Sequence, residues 1–290
     1  MHRPDPNALR RTRAIIEHHL DTLDRDPAPY RLHLCMAEGE QSAGTWLAPW
    51  SLPGDELVDI AEVTLVPCHF SEQSQWVALH MAYEPEASIV DLVPDTFGAD
   101  DRDLVQRWRD VIGHIGSPPL QRLIDRVWMR RRVFRDFWRA PASRAHHHAY
   151  RGGLASHSIE VAEGIADTRS LQGSDRDIGI AYALLHDIGK LWCFQGTGMT
   201  PLGHELLGLT QLGSALDMLH HDWPDGATAM RSLLSGLWKA RGQKPLLAVG
   251  KLVQAQDQLS AERDLRPRRG HRHRPWIARP NDERTAPSPF

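Results

Sequence analysis

In the run AYALLHDIGK, an apolar approach leads directly into two adjacent ionisable residues, His186 and Asp187. A carboxylate at the end of such a run is costly to bury unless it is paired or bound to a cation. Adjacent His and Asp at a helix end can offer an imidazole nitrogen and a carboxylate oxygen to one ion. The competing reading is a surface His-Asp pair, against which stand the apolar approach and the Gly189-Lys190 exit. Gly189 is expected to end the helix or to let backbone approach the site closely.

Two further residues match this chemistry. His157 lies in GGLASHSIEVA, where two glycines permit a tight entry to its helix. Asp257 interrupts the apolar stripe of Leu252, Val253 and Leu259 in KLVQAQDQLSAERD, so it can point inward. Taken alone, either could be a core histidine or an exposed helix aspartate. Together, His157, His186, Asp187 and Asp257 can converge from three helices on one divalent ion. Two imidazoles and two carboxylates suit Mn, Fe, Zn or Mg better than a thiolate-selective metal.

The surroundings read as mainly α. From residue 99 onward, apolar residues recur near a 3.6-residue period. Helices are expected over DRDLVQRWRDVIGHI, over PLQRLIDRVWMRRRVFRDFW, around His157, into His186, over TPLGHELLGLTQLGSALDMLHHDW, and over 226–240 and 244–260. They form a helical bundle over 99–265. Residues 31–98 instead contain short apolar or alternating runs punctuated by Gly, Pro and Ser, the pattern of a small β-rich or mixed domain. Residues 7–24 read as a short amphipathic helix ahead of it, giving an N-terminal unit over 1–98. Residues 266–290 are a basic, Pro- and Arg-rich tail that can bury little apolar surface.

Composition excludes several classes. The formal net charge of −3 supplies no global positive field to draw nucleic acid. The three cysteines, Cys35, Cys68 and Cys193, are too dispersed for a disulfide framework or a zinc knuckle. No apolar run is long enough to span a membrane and no signal peptide is evident, so a cytoplasmic location is expected.

The spaced His, adjacent His-Asp and distant Asp resemble the HD-domain phosphohydrolase superfamily over roughly residues 118–265. Around PASRAHHHAYRGGLASHSIEVA the sequence is similar to the domain entry of conjugative-transfer relaxases of the TraI/MobH kind. It is also similar to YhaM-type 3′–5′ exoribonucleases, in which a small nucleic-acid-binding β domain precedes the HD domain. The resemblance implies an HD-type helical bundle with His157, His186, Asp187 and Asp257 as metal ligands. It implies that His204 lies near the site and can serve a second metal. Two-metal members carry a further histidine on the next helix, where this chain has Ser235, Gly236 and Leu237. His220 and His221 fall too early to match it. One firmly held ion is therefore expected, with a second bound weakly.

Phosphodiester hydrolysis through metal-activated water follows from this set. Lys190 could stabilise developing charge or cap a helix; His147 and His148 could transfer protons or bind phosphate, or belong to a polar loop. Arg151 could contact substrate phosphate. Arg130, Arg131 and Arg135 form either a solvated helix face or a phosphate-backbone patch. Single-stranded RNA or DNA is the expected partner, with a small nucleotide as the other possibility. A relaxase-like DNA-processing role and a non-catalytic nucleotide- or protein-binding role remain alternatives, the latter because the later histidine is missing.

Overall fold

The computed structural model describes residues 9–19, 30–47, 57–70, 73–98, 101, 103–193, 203–240 and 243–268. Its first five elements are strands: β1 (Arg10–His19), β2 (Tyr30–Met36), β3 (Gly39–Thr45), β4 (Asp59–Phe70) and β5 (Gln73–Tyr83). They close into a barrel in the order β1-β2-β3-β5-β4, with β4 pairing back to β1. The β3–β5 pair is parallel and the other neighbours are antiparallel. Among the described residues, closure gives each of the five strands a partner on both sides.

The segment expected as a helix over 7–24 is thus a strand where it is described. Ala14 and Ile16 point into the barrel with Leu32, Leu34, Val63 and Leu65. Ile15 points the other way, joining Cys35 and Ile60 in the larger core shared with the helices. All of these are fully buried. A strand covered on both faces loses its alternation of apolar and polar residues, so periodicity cannot distinguish it from a buried helix. Residues 7–8 and 20–24 lie outside the described residues.

After two short 3₁₀ turns, the chain becomes helical: α1 (Leu104–Gly113), α2 (Pro118–Trp128), α3 (Arg131–Asp136), α4 (Gly153–Ala166), α5 (Gly173–Leu185), α6 (Lys190–Cys193), α7 (Gly203–Gln211), α8 (Gly213–Asp222), α9 (Pro224–Leu234), α10 (Leu237–Ala240) and α11 (Val249–Arg268). Trp108 of α1 packs tilted against Trp128 and edge-on against Trp138, with ring centroids 5.2 and 5.4 Å apart. That aromatic wall supports α4, which packs against α1, α5 and α11. No helix among the described residues is long and apolar enough to cross a membrane. Of the basic tail, residues 269–290 lie outside the described residues.

The helix expected across residues 119–138 is broken at Met129-Arg130. Val58 N–H donates to the Met129 carbonyl at 2.8 Å, and Leu57 forms an isolated bridge with Arg130. Backbone from the segment leading into β4 therefore replaces the next helical turn. Arg131 and Arg135 join the two parts of the molecule, and Arg130 packs within the bundle. The Arg135 guanidinium donates to Glu17 of β1 and Glu40 of β3. It lies 5.2 Å from the Phe134 ring centroid. Arg131 Nε is 3.9 Å from Glu17, which is itself buried. Arg130 is buried, donates to Gln211 Oε1 at 3.1 Å, and sits over Trp192. A buried Glu17 carboxylate requires cationic partners, and these helix residues supply them.

Candidate metal centre

The site is assembled where α4, the α5–α6 junction, α7 and α11 meet. His157 sits in the second turn of α4. Gly152 opens this helix with φ +83°, and a Cβ on Gly153 would lie 2.0 Å from the His148 carbonyl oxygen. The two glycines thus let the histidine-rich loop press against the helix start. His186 caps the C-terminus of α5 and Asp187 follows it. Gly189 permits a similarly close approach: a Cβ there would lie 1.8 Å from the His204 carbonyl oxygen. That contact holds α7 against the Asp187 turn.

His157, His186 and Asp187 are buried and offer ligand atoms within 4.8 Å of one another. Asp257 joins from α11, with Oδ1 3.1 Å from His157 Nε2. Asp187 Oδ2 is 3.5 Å from His157 Nε2 and 3.4 Å from His186 Nε2. Both ring Nε2 atoms are buried without a hydrogen-bond partner. The opposite nitrogens are engaged: His157 Nδ1 is 3.0 Å from Ser260 Oγ, and His186 Nδ1 is 2.7 Å from the Ala183 carbonyl oxygen. The Ala183 carbonyl only accepts, so His186 donates from Nδ1, and in both rings Nε2 faces the carboxylates. Inward-facing ring nitrogens without a hydrogen-bond partner, beside anionic oxygens, suit a divalent cation. The side chain of Asp257 is 32% exposed, whereas that of Asp187 is 5% exposed, so the site opens on the α11 side.

Electrostatics agree with this arrangement. Burial acts to raise the Asp187 pKa, but His186 and Lys190 overcome it and hold the carboxylate well below its usual range. Lys190 Nζ lies 2.5 Å from Asp187 Oδ2. For Asp257, burial is outweighed by the bond to His157 and the pKa falls. Burial depresses the His157 pKa despite the neighbouring carboxylates, so this ring is neutral near pH 7. His186 is raised: burial opposes its charge, but Asp187 outweighs burial.

The remaining expected residues occupy distinct places. His204 Nε2 lies 3.1 Å from Asp187 Oδ1, the oxygen turned away from Lys190, and its Nδ1 is 3.3 Å from Glu205 Oε2. His147 is half-buried with its ring centroid 5.3 Å from that of His157, and burial followed by neighbouring positive charge lowers its pKa. His148 is buried beside His157, with Nε2 3.5 Å from Glu160 and its backbone N–H donating to Asp264 at 2.7 Å. Arg151 is exposed immediately ahead of α4.

Ser235, Gly236 and Leu237 supply no imidazole. Ser235 Oγ donates to the Ser232 carbonyl, Gly236 packs on Glu205 at φ +63°, and Leu237 is half exposed. His220 and His221 are exposed in the last turn of α8. Glu205, not anticipated from sequence, stands beside His204. Ser260 and Glu160 were also unanticipated, although each follows a metal-site residue by three positions on its helix, a spacing that places both on one face.

A second potential ligand group, His33, Cys35 and Glu40, lies on the barrel. Arg135 already supplies positive charge there: it donates to Glu40 and approaches Cys35 Sγ to 3.4 Å. Burial also raises the Cys35 pKa, keeping the thiol protonated. This group therefore functions as a polar contact between barrel and bundle, while the α4–α5–α11 group retains the bare ligand nitrogens. No protein-family model matches the chain, and no solved structure matches it.

Proposed function

We propose that the protein is a metal-dependent phosphodiesterase of the HD type, acting on nucleic acid. The observation that carries this reading is the convergence of two buried Nε2 atoms, neither with a hydrogen-bond partner, with the carboxylates of Asp187 and Asp257. A divalent ion bound there would supply Lewis-acid charge to a phosphoryl oxygen and lower the pKa of water. Asp257 holds the more open edge of the site, and His157, His186 and Asp187 its buried floor. The Lys190 ammonium, beside Asp187 Oδ2, is close enough to compensate negative charge at the same centre. His147 offers a neutral imidazole that can accept a proton near the open edge. His204 and Glu205 border the other Asp187 oxygen, where a second ion would be held more weakly.

Support for nucleic acid comes from the barrel. A closed five-stranded Greek-key barrel with this strand order resembles oligonucleotide-binding barrels, which use the β2–β3 face and adjacent loops. Arg31 lies on the outer side of β2, opposite Gly44 of β3, and Trp46, just after β3, is 52% exposed. Arg131 and Arg135 engage barrel carboxylates and Arg130 packs within the bundle, so exposed Arg151 is the arginine near the centre that carries the substrate reading.

The test is hydrolysis by the metal-reconstituted full chain of single-stranded RNA, single-stranded DNA and small nucleotide phosphodiesters. Metal-dependent cleavage of a polynucleotide, abolished by Asp187→Asn, supports the reading. Cleavage confined to small nucleotides overturns the nucleic-acid part, and metal binding without turnover overturns the enzymatic part.

A further inference from the structure

The Nδ1 side of His157 carries a polar chain that the hydrolytic reading does not use. Ser260 Oγ lies 3.0 Å from His157 Nδ1 and donates to Glu160 Oε2 at 2.7 Å. Ser260 is 3% exposed. Glu160 is only partly buried and lines a groove of about 530 Å³ between α4 and α11, with Glu163, Gln256 and Arg263 among its walls. Thus the chain connects a fully buried ring to a solvent-facing carboxylate.

The hydrogen-bond inventory determines its direction. An ionised carboxylate only accepts, and a serine hydroxyl has one proton. Burial favours the neutral Glu160 carboxyl, but bonds from His148 and Ser260 outweigh it and lower its pKa. With its proton committed to Glu160, Ser260 can only accept from His157. The His157 proton is therefore placed on Nδ1.

This placement faces a competitor. Asp257 Oδ1 is 3.1 Å from His157 Nε2 and Asp187 Oδ2 is 3.5 Å away. Either carboxylate would favour a proton on Nε2, and a protonated Nε2 cannot bind a cation. We propose that Ser260 and Glu160 are positioning residues that hold the Nδ1–H form of His157 against this pull, keeping Nε2 open for metal. This inference rests on the metal-centre reading above. Outer partners of ligand histidines commonly fix both tautomer and ring orientation.

The test compares wild type, Ser260→Ala, Glu160→Gln and the double variant. Histidine ring ¹⁵N spectra of the metal-free proteins should show His157 protonated at Nδ1 in wild type and shifted toward Nε2 in Ser260→Ala. Mn²⁺ affinity, measured by competition with a chelator, should fall roughly 10–100-fold in Ser260→Ala. Glu160→Gln should fall less, since its amide oxygen can still accept from Ser260. The double variant should be no weaker than Ser260→Ala, because the two residues act in series. Additive losses would indicate independent packing effects and overturn the relay, as would an unchanged His157 tautomer in both single variants. Should Ser260→Ala fail to fold, the tautomer and affinity of Glu160→Leu, which removes the acceptor of the Ser260 proton, decide the same question: no change in either overturns the proposal. If wild type binds no Mn²⁺, the metal reading fails, while the metal-free ring spectra still report whether the relay sets the tautomer.

Discussion

His157 Nε2 and Asp257 Oδ1 lie 3.1 Å apart, while Nδ1 on the far side of the ring lies 3.0 Å from Ser260 Oγ. Two electron-rich atoms at this distance repel unless a cation lies between them. Asp257→Asn should separate fold stability from metal binding. Its amide can donate to Nε2, so the metal-free melting temperature should hold or rise, while Mn²⁺ affinity falls at least about tenfold. Melting with and without Mn²⁺ measures both effects.

His186 determines the expected pH dependence. Asp187 raises its pKa above the usual imidazole value of 6.5 in the absence of metal. Between 6.5 and the raised value, the folded state retains a proton that the unfolded state has released. The resulting stabilisation is fully present below pH 6.5 and is lost as pH rises through the raised value. Metal needs the bare Nε2, so binding should release this proton and strengthen with pH over the same interval. Calorimetric titrations in buffers of different ionisation enthalpy should detect proton release, and His186→Ala should abolish it.

Arg135 tests the contact between barrel and bundle. Its guanidinium engages Glu17, which is 4% exposed, and Glu40. Arg135→Met should cost about 3–5 kcal/mol because it leaves a buried carboxylate without its principal cation. Adding Glu17→Gln should recover part of that loss. Urea unfolding measures both changes, and metal affinity should remain near wild type because this contact lies outside the metal centre.

Gly189→Ala tests the close packing behind Asp187. The added Cβ would meet the His204 carbonyl oxygen at 1.8 Å and the Gly208 backbone nitrogen at 2.6 Å. Backbone atoms cannot withdraw as a flexible side chain can. A stability loss of about 1–3 kcal/mol is expected from overpacking. Because the displaced segment carries His204, weak binding of a second ion should suffer more than binding at the His157 centre; a two-step metal titration resolves the two.

Different parts of the molecule were legible to different degrees. The apolar approach to His186-Asp187 and the glycines before His157 carried strong local signals because burial and close backbone contact constrain residue type. Asp257 was visible as a break in an apolar stripe. Ser260 and Glu160 were not apparent because each resembles an ordinary helix-surface residue until α4 and α11 are brought together. The first strand reads as a helix from sequence because Ile15 and Ile16 face two different cores. Similarly, an arginine-rich helix can serve solvent, phosphate or buried carboxylates; only the position of Glu17 distinguishes the last.

The most direct test is the metal content of the full chain after reconstitution with Mn²⁺ and removal of loosely bound ions. Elemental analysis should find one tightly retained ion per wild-type chain and none in Asp187→Asn, with both proteins folded. A folded wild-type chain that retains no Mn²⁺, Fe²⁺, Zn²⁺ or Mg²⁺ under reducing conditions, or an Asp187→Asn chain that retains the wild-type amount, would contradict the assignment of this centre.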